Sequence, residues 1–213
     1  MMPRLRFFVH SLIARYHDWR LGIYSEADIL LDKFGVSDRS CHQYNASSYV
    51  RFAQLMKFVT IRPGEDVFLD VGSGMGRAVV LAATYPFRKV VGVELIEEFN
   101  AIARENVRKA KRRLVCRDVE LVTTDAGAYR IPPEVNYIYF WNPFSGEILT
   151  RVFANIRASI LETPRIVTIL YTTPPEFTYL DDMKDQLPWL AVQHETMLGK
   201  KTRAVIYTCG PTV

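Results

Sequence analysis

The chain predicts an α/β domain with a mostly parallel sheet covered by helices on both faces, and three observations carry that expectation. From residue 67 onward, short apolar runs alternate with stretches of helical period. The first run ends in Asp70 and then a turn with glycine at 72, 74 and 76, VFLDVGSGMGR. Glycine takes positive φ and lets the backbone meet a ligand with no Cβ in the way, so such a turn suits a strand-to-helix crossover that holds a cofactor. The last two runs, 190–194 and 203–209, are joined through LGKK and lie close enough for antiparallel pairing.

The elements follow in order. A helical extension is expected at roughly 3–34, then the polar stretch GVSDRSCHQYNASSY, then a helix at 49–59. Pro63-Gly64-Glu65-Asp66 turns into the first strand, 67–71. Further strands fall at 90–94, 119–123, 137–141 and 166–171. Between them, helices are expected at 77–84, at 97–113 with Phe99, Ile102, Ala103, Val107 and Ala110 as the buried stripe, and after Phe144 with Ile148, Leu149, Val152, Phe153, Ile156 and Ile160 inward. No repeat, low-complexity tract or interdomain linker interrupts them.

With 213 residues, 49% of them hydrophobic, the chain accommodates one large core plus an extension. A formal charge of +4 favours acidic partners only mildly, and a dedicated nucleic-acid module is usually more basic. Cys41, Cys116 and Cys209 stand apart, as do His10, His17, His42 and His194, so neither a disulfide framework nor a metal site is expected, and a reducing compartment fits. No apolar run approaches the ~20 residues that cross a bilayer. The arginines and aromatics of the first 20 residues leave an organelle presequence or a membrane-surface helix open, against a cytoplasmic expectation with this helix packed on its own domain.

Ligands of open parallel sheets sit beyond the carboxyl ends of the strands, so the strand-end residues carry the functional reading. The glycine spacing is G-x-G-x-G, unlike the G-x-G-x-x-G of dinucleotide domains. Together with VVGVE downstream it resembles the S-adenosylmethionine (SAM) loop of class I methyltransferases. That resemblance implies a three-layer Rossmann-like fold with a seven-stranded sheet ordered 3-2-1-4-5-7-6, and SAM as cofactor. It assigns Asp70, Gly72, Ser73, Gly74 and Gly76 to the cofactor's methionine part. Glu94, with Leu95 beside it, ends the second strand, where a carboxylate can accept from both ribose hydroxyls. By the same resemblance Asp125 accepts from the adenine amino group and the Ala126 N–H meets the ring.

The fourth strand ends in YIYFWNPF. Asn142-Pro143-Phe144 stands where amino-methylating enzymes carry a [DNS]-P-P-[YF] motif, with one proline fewer. In that arrangement the carboxamide oxygen and a backbone carbonyl accept from an N–H2 group while the aromatic ring walls in the substrate, and Asn142 also borders the cofactor. The alternative is a strand-to-helix turn with Asn142 as N-cap.

Residues 44–173 are similar to the core of the disruptor-of-telomeric-silencing type histone lysine methyltransferases, and to small bacterial class I methyltransferases with a related NPF segment. The resemblance gives Tyr44, Ser47, Ser48 and Tyr49 the role of closing over the cofactor, with 1–48 as a helical extension and covering segment and 49–213 as the SAM-binding domain. The resemblance does not extend to the long N-terminal region and basic tail of the histone enzymes, so nucleosome recognition is not implied by it. The basic run ENVRKAKRRLVCR reads as a solvated helix face before a phosphate-contacting patch. The expected activity is methyl transfer from SAM to a protein side-chain nitrogen, lysine-like, with Tyr139, Trp141 and Phe144 around the acceptor. The alternatives are a nucleic-acid or small-molecule amine acceptor, a catalytically silent SAM-binding interaction module, and a nicotinamide reductase.

Overall fold

The computed structural model describes residues 3–25, 41–42 and 44–211. Seven strands form one sheet in the order β3-β2-β1-β4-β5-β7-β6. β1 (Val67–Val71), β2 (Lys89–Glu94), β3 (Asp118–Thr123), β4 (Tyr137–Trp141) and β5 (Val167–Thr173) run parallel. β7 (Arg203–Cys209) and β6 (Ala191–Met197) complete the sheet antiparallel. The order reverses between β1 and β4, which opens a crevice beyond their carboxyl ends.

Strand position explains strand composition. β1 lies mid-sheet and buries all five of its residues, whereas edge strand β6 is mostly exposed. β6 also runs past residue 194, to Met197, because the Leu198 N–H donates to Thr202 O and closes a tight hairpin.

The helices are α1 (Pro3–Leu21), α2 (Tyr49–Leu55), α3 (Arg77–Ala83), α4 (Glu97–Ala110), α5 (Gly146–Glu162) and the short α6 (Tyr179–Asp182). Helix α1 stops at Leu21, short of the expected 34, because Gly22 takes positive φ and the Gly22 and Ile23 N–H groups bond back to Trp19 O and Asp18 O. The rest of that expectation, from residue 26, lies outside the described residues. Helix α2 also ends early, in a single 3-10 turn at Met56–Phe58.

Helix α5 buries its whole predicted stripe against one sheet face, with Phe140 and Phe153 stacked 5.7 Å apart. The opposite face carries α2 and α3, packed on Phe68 and Tyr139. Helix α4 departs from its predicted stripe: Asn100 and Asn106 are buried, while Ile102 and Val107 are half-buried. The asparagines are there to bond. Asn106 donates to Tyr24 O and Met75 O and accepts from the Tyr24 N–H, tying the segment after α1 to the glycine turn. The basic end of α4 is a paired, solvated face, with Arg104 on Glu97 and with Arg108 and Lys109 on Glu105.

Candidate active site

A cavity of about 500 Å³ lies in the crevice where the sheet order reverses, a size suited to a small-molecule cofactor. It brings together Tyr44, Ser47, Asp70, Gly72, Ser73, Gly74, Glu94, Leu95, Asp125, Ala126, Asn142, Pro143 and Phe144, residues spread over 101 positions of sequence. Four assigned residues lie outside it: Ser48, Gly76, Tyr49 and Tyr139. Ser48 is the N-cap of α2 and borders a small second pocket under Leu55 and Tyr139. Gly76 is required by packing, because a Cβ there would come 2.8 Å from Cβ of Ala103 on α4.

The same geometry corrects the reason for the other two glycines. A Cβ on Gly72 would lie 2.4 Å from Cβ of Pro143, and one on Gly74 would lie 2.3 Å from the Tyr44 ring. Both residues have positive φ. The missing side chains thus admit two other walls of the cavity, the turn after β4 and the segment around Tyr44, against the glycine loop.

The loop is held from β2. Gly72 and Ser73 donate to Val93 O, and Glu94 accepts from the Gly74 N–H at 2.8 Å and the Ile96 N–H at 2.9 Å. Glu94 is therefore a scaffold carboxylate as well as a cavity wall. Burial raises its pKa, opposed by those backbone donors. Asp70 is 3% exposed, and its pKa is pushed up to about 8, first by burial and then by the Glu94 charge. Two buried carboxylates side by side are costly without a cation between them. Such a pair calls for a cationic ligand group.

Arg77, which sequence reasoning passed over, supplies its cation elsewhere. Its Nε donates to Ser25 Oγ at 2.8 Å and one terminal nitrogen to Ser47 O at 3.2 Å, while the other lies 3.6 Å from Asp18. The guanidinium also sits over the Tyr49 ring. Tyr49 donates to Asp18, so it braces α1 and stands outside the cavity's lining. Tyr44 donates to Ser25 O, and burial raises its pKa. Segment 18–25 thus braces the wall of the site from behind, through Ser25 on Tyr44 and Asp18 and Ser25 on Arg77.

At the other end the lining is Cys41, His42, Trp141, Phe144, Ile148, Pro174 and Phe177, with no carboxylate. Tyr139 is absent from it. Its hydroxyl bonds Ser47 Oγ at 3.0 Å beneath the floor, and its ring packs with Phe52 and Phe68. Phe177, in the loop after β5, walls this end instead, and no periodicity or motif marks it in the sequence. Asn142 has φ +42°, the only positive value at a non-glycine residue among those described. It is not an N-cap, since α5 begins after Ser145. Its Oδ1 accepts from Thr173 Oγ1 at 3.2 Å, and its backbone carbonyl and that of Pro143 each already hold a donor from His42. The expected pattern of an open backbone carbonyl beside the carboxamide is therefore altered here. Asp125 likewise has partners: Oδ1 caps the Gly127 N–H at 2.8 Å and Oδ2 lies 3.3 Å from Arg151.

Among the described residues no helix is long and apolar enough to cross a membrane, and no three His, Cys, Asp or Glu side chains group as a metal site.

Residues 38–125 match the family of the histone methylation protein DOT1. A stretch of 93 residues is 34% identical to the H3 lysine-79 specific histone-lysine N-methyltransferase of Drosophila melanogaster, covering 43% of this chain and 5% of that protein. Among solved structures, an RNA methyltransferase from Salinibacter ruber in complex with S-adenosyl-L-homocysteine superposes with TM-score 0.57 at 20% identity, over 79% of this chain and 96% of that one. A SAM dependent methyltransferase from Aquifex aeolicus gives 0.57 at 18% identity, over 74% and 89%. The chain has the class I methyltransferase fold, and its cofactor-side half is similar to the DOT1 family.

Proposed function

We propose that this chain binds SAM in the crevice cavity and transfers its methyl group to a side-chain nitrogen of a protein, lysine in type. The observation that carries the reading is the division of the cavity. One end holds the buried pair Asp70 and Glu94 beside the glycine turn, and the other is aromatic and free of carboxylates. When bound, the cofactor supplies an electrophilic methyl on a positively charged sulfur. Asp70 would face its ammonium group, and the lone pairs of Glu94 left free by Gly74 and Ile96 would take the ribose hydroxyls. Asp125 and the Ala126 N–H border the place of the adenine.

The acceptor end works by exclusion and alignment. Trp141, Phe144, Pro174 and Phe177 keep water out, and desolvation lowers the pKa of an entering ammonium so that the amine arrives with a free lone pair. Asn142 orients that nitrogen, and in-line alignment lowers the barrier by positioning. Similarity to a histone-lysine enzyme over the cofactor half supports a protein acceptor.

The test incubates the chain with methyl-labelled SAM and a cell extract, then divides the label among protein, nucleic acid and small molecules. Label in protein, recovered as methyl-lysine on hydrolysis, is the expected result. Label confined to another fraction, or to none, overturns the proposal.

A further inference from the structure

His42 bonds Asn142, Pro143 and Ser145 of the turn that follows β4. Its backbone N–H donates to Pro143 O at 3.0 Å, and its Nδ1 lies 2.8 Å from Asn142 O. Its Nε2 lies 3.3 Å from Ser145 Oγ, and its neighbour Cys41 forms an antiparallel bridge with Phe144. A carbonyl only accepts, so Nδ1 carries the ring proton and Nε2 is left as acceptor for the Ser145 hydroxyl. The ring packs 6.0 Å from Phe177 and 5.3 Å from Tyr179, which joins the loop after β5 to the same clasp. The clasped turn holds Asn142 in a left-handed conformation, uncommon for L residues but one asparagine tolerates best among non-glycine residues.

We infer that His42 is the positioning residue of the acceptor turn. It fixes Asn142 at positive φ, so that the carboxamide borders the cavity with Oδ1 on Thr173, and it takes one lone pair from each of the Asn142 and Pro143 carbonyls. The acceptor group then meets the Asn142 side chain and the aromatic walls before it meets backbone. This deepens the methyltransferase reading and rests on it for its catalytic readout, but its conformational content stands on the protein alone.

Three variants separate a clasp from a mere filler. His42→Asn places an N–H donor near the position of Nδ1, His42→Gln near that of Nε2, and His42→Ala removes both. Nitrogen-15 NMR of the wild-type imidazole should show the Nδ1–H tautomer, and the Asn142 Cα and Cβ shifts should leave their left-handed values in the Ala and Gln variants while staying in the Asn variant. Calorimetric affinity for S-adenosylhomocysteine should change by no more than about threefold in all three, whereas label transfer should fall roughly 30- to 100-fold in Ala and Gln and less than about tenfold in Asn. An Nε2–H tautomer, unchanged Asn142 shifts in His42→Ala, or a His42→Asn variant as impaired as His42→Ala overturns the inference. If the wild-type chain transfers no label, the methyltransferase reading falls, and the tautomer and shift measurements still decide the clasp. Should His42→Ala fail to fold, the wild-type tautomer and the Asn and Gln variants decide it.

Discussion

Asp70→Asn should make the protein more stable and a worse binder at once. The substitution keeps the shape of the side chain and removes its charge. In the native chain burial and Glu94 push the Asp70 pKa up to about 8, against 3.8 for an unshielded aspartate. The native state therefore holds a proton that the unfolded chain gives up, and wild-type stability falls as pH rises from about 4 to about 8. At pH 7 that spans roughly three pH units at about 1.4 kcal/mol each, so a neutral isostere should be more stable by up to about 4 kcal/mol. For a chain of this size the gain corresponds to a melting temperature higher by roughly 8–16 °C. The stability difference should shrink towards pH 4 and stop growing above about pH 8, where the native carboxyl also ionises. Binding moves the other way. Loss of the carboxylate that faces the ligand's ammonium should weaken S-adenosylhomocysteine by roughly 10- to 100-fold, and wild-type affinity should rise with pH up to about 8 as the free carboxyl ionises. Thermal melts from pH 5 to 9 and calorimetry at the same values read both effects. A variant that is less stable throughout, or that binds as tightly as wild type, refutes the argument that Asp70 is an unpaired buried acid awaiting a cation.

Three further predictions test the other walls. Glu94→Ala should lose about 1–3 kcal/mol of S-adenosylhomocysteine affinity and also lower the melting temperature, because the Gly74 and Ile96 N–H groups lose their acceptor; an unchanged affinity would leave Glu94 a scaffold residue only. Gly72→Ala should cost about 3 kcal/mol or more in denaturant melts, since its Cβ would overlap Pro143, whereas Gly64→Ala, with similar φ and open space, should cost only about 1 kcal/mol; equal costs would mean that the contact with the acceptor turn is not tight. Asn142→Gly, which tolerates the positive φ where alanine does not, should leave S-adenosylhomocysteine affinity within about threefold and cut label transfer roughly 100-fold; a parallel fall in both would place Asn142 in the cofactor's own pocket.

The sheet was legible because each central strand is buried on both faces and reads as an apolar run, and because LGKK leaves room for nothing but a hairpin. That these residues share one cavity was legible for a related reason: Asp70, Glu94 and Asp125 lie at or just past the ends of strands, and topology alone carries strand ends to one crevice. What escaped were residues whose role depends on a long-range partner. His42 looks like one of four scattered histidines until Asn142, 100 positions away, accepts from it. Arg77 looks like a helix-start cation until Asp18, Ser25 and Ser47 close round it. Asn106 breaks an apolar stripe for the same reason, since a buried amide is tolerable only once its partners are in place. Phe177 gained its position from a loop that carries no period at all.

The glycine turn reads differently once its neighbours are known. Three walls meet on it: the covering segment through Tyr44 on Gly74, the acceptor turn through Pro143 on Gly72, and β2 through Glu94 on the Gly74 N–H. A displacement of the covering segment therefore cannot stay local. Tyr44 is anchored to Ser25 and Ser47 to Arg77, while His42, two residues before Tyr44, grips Asn142 and Pro143. Tyr44 and Ser47 thus tie to Ser25 and Arg77, and His42 to the turn after β4, so both ends of the cavity wall are bonded from residues close in sequence. Close packing leaves little room for these contacts to slacken singly. Through Tyr44 on Gly74 and His42 on Asn142 and Pro143, the glycine turn and the turn after β4 are thus packed against one another from the same side of the crevice.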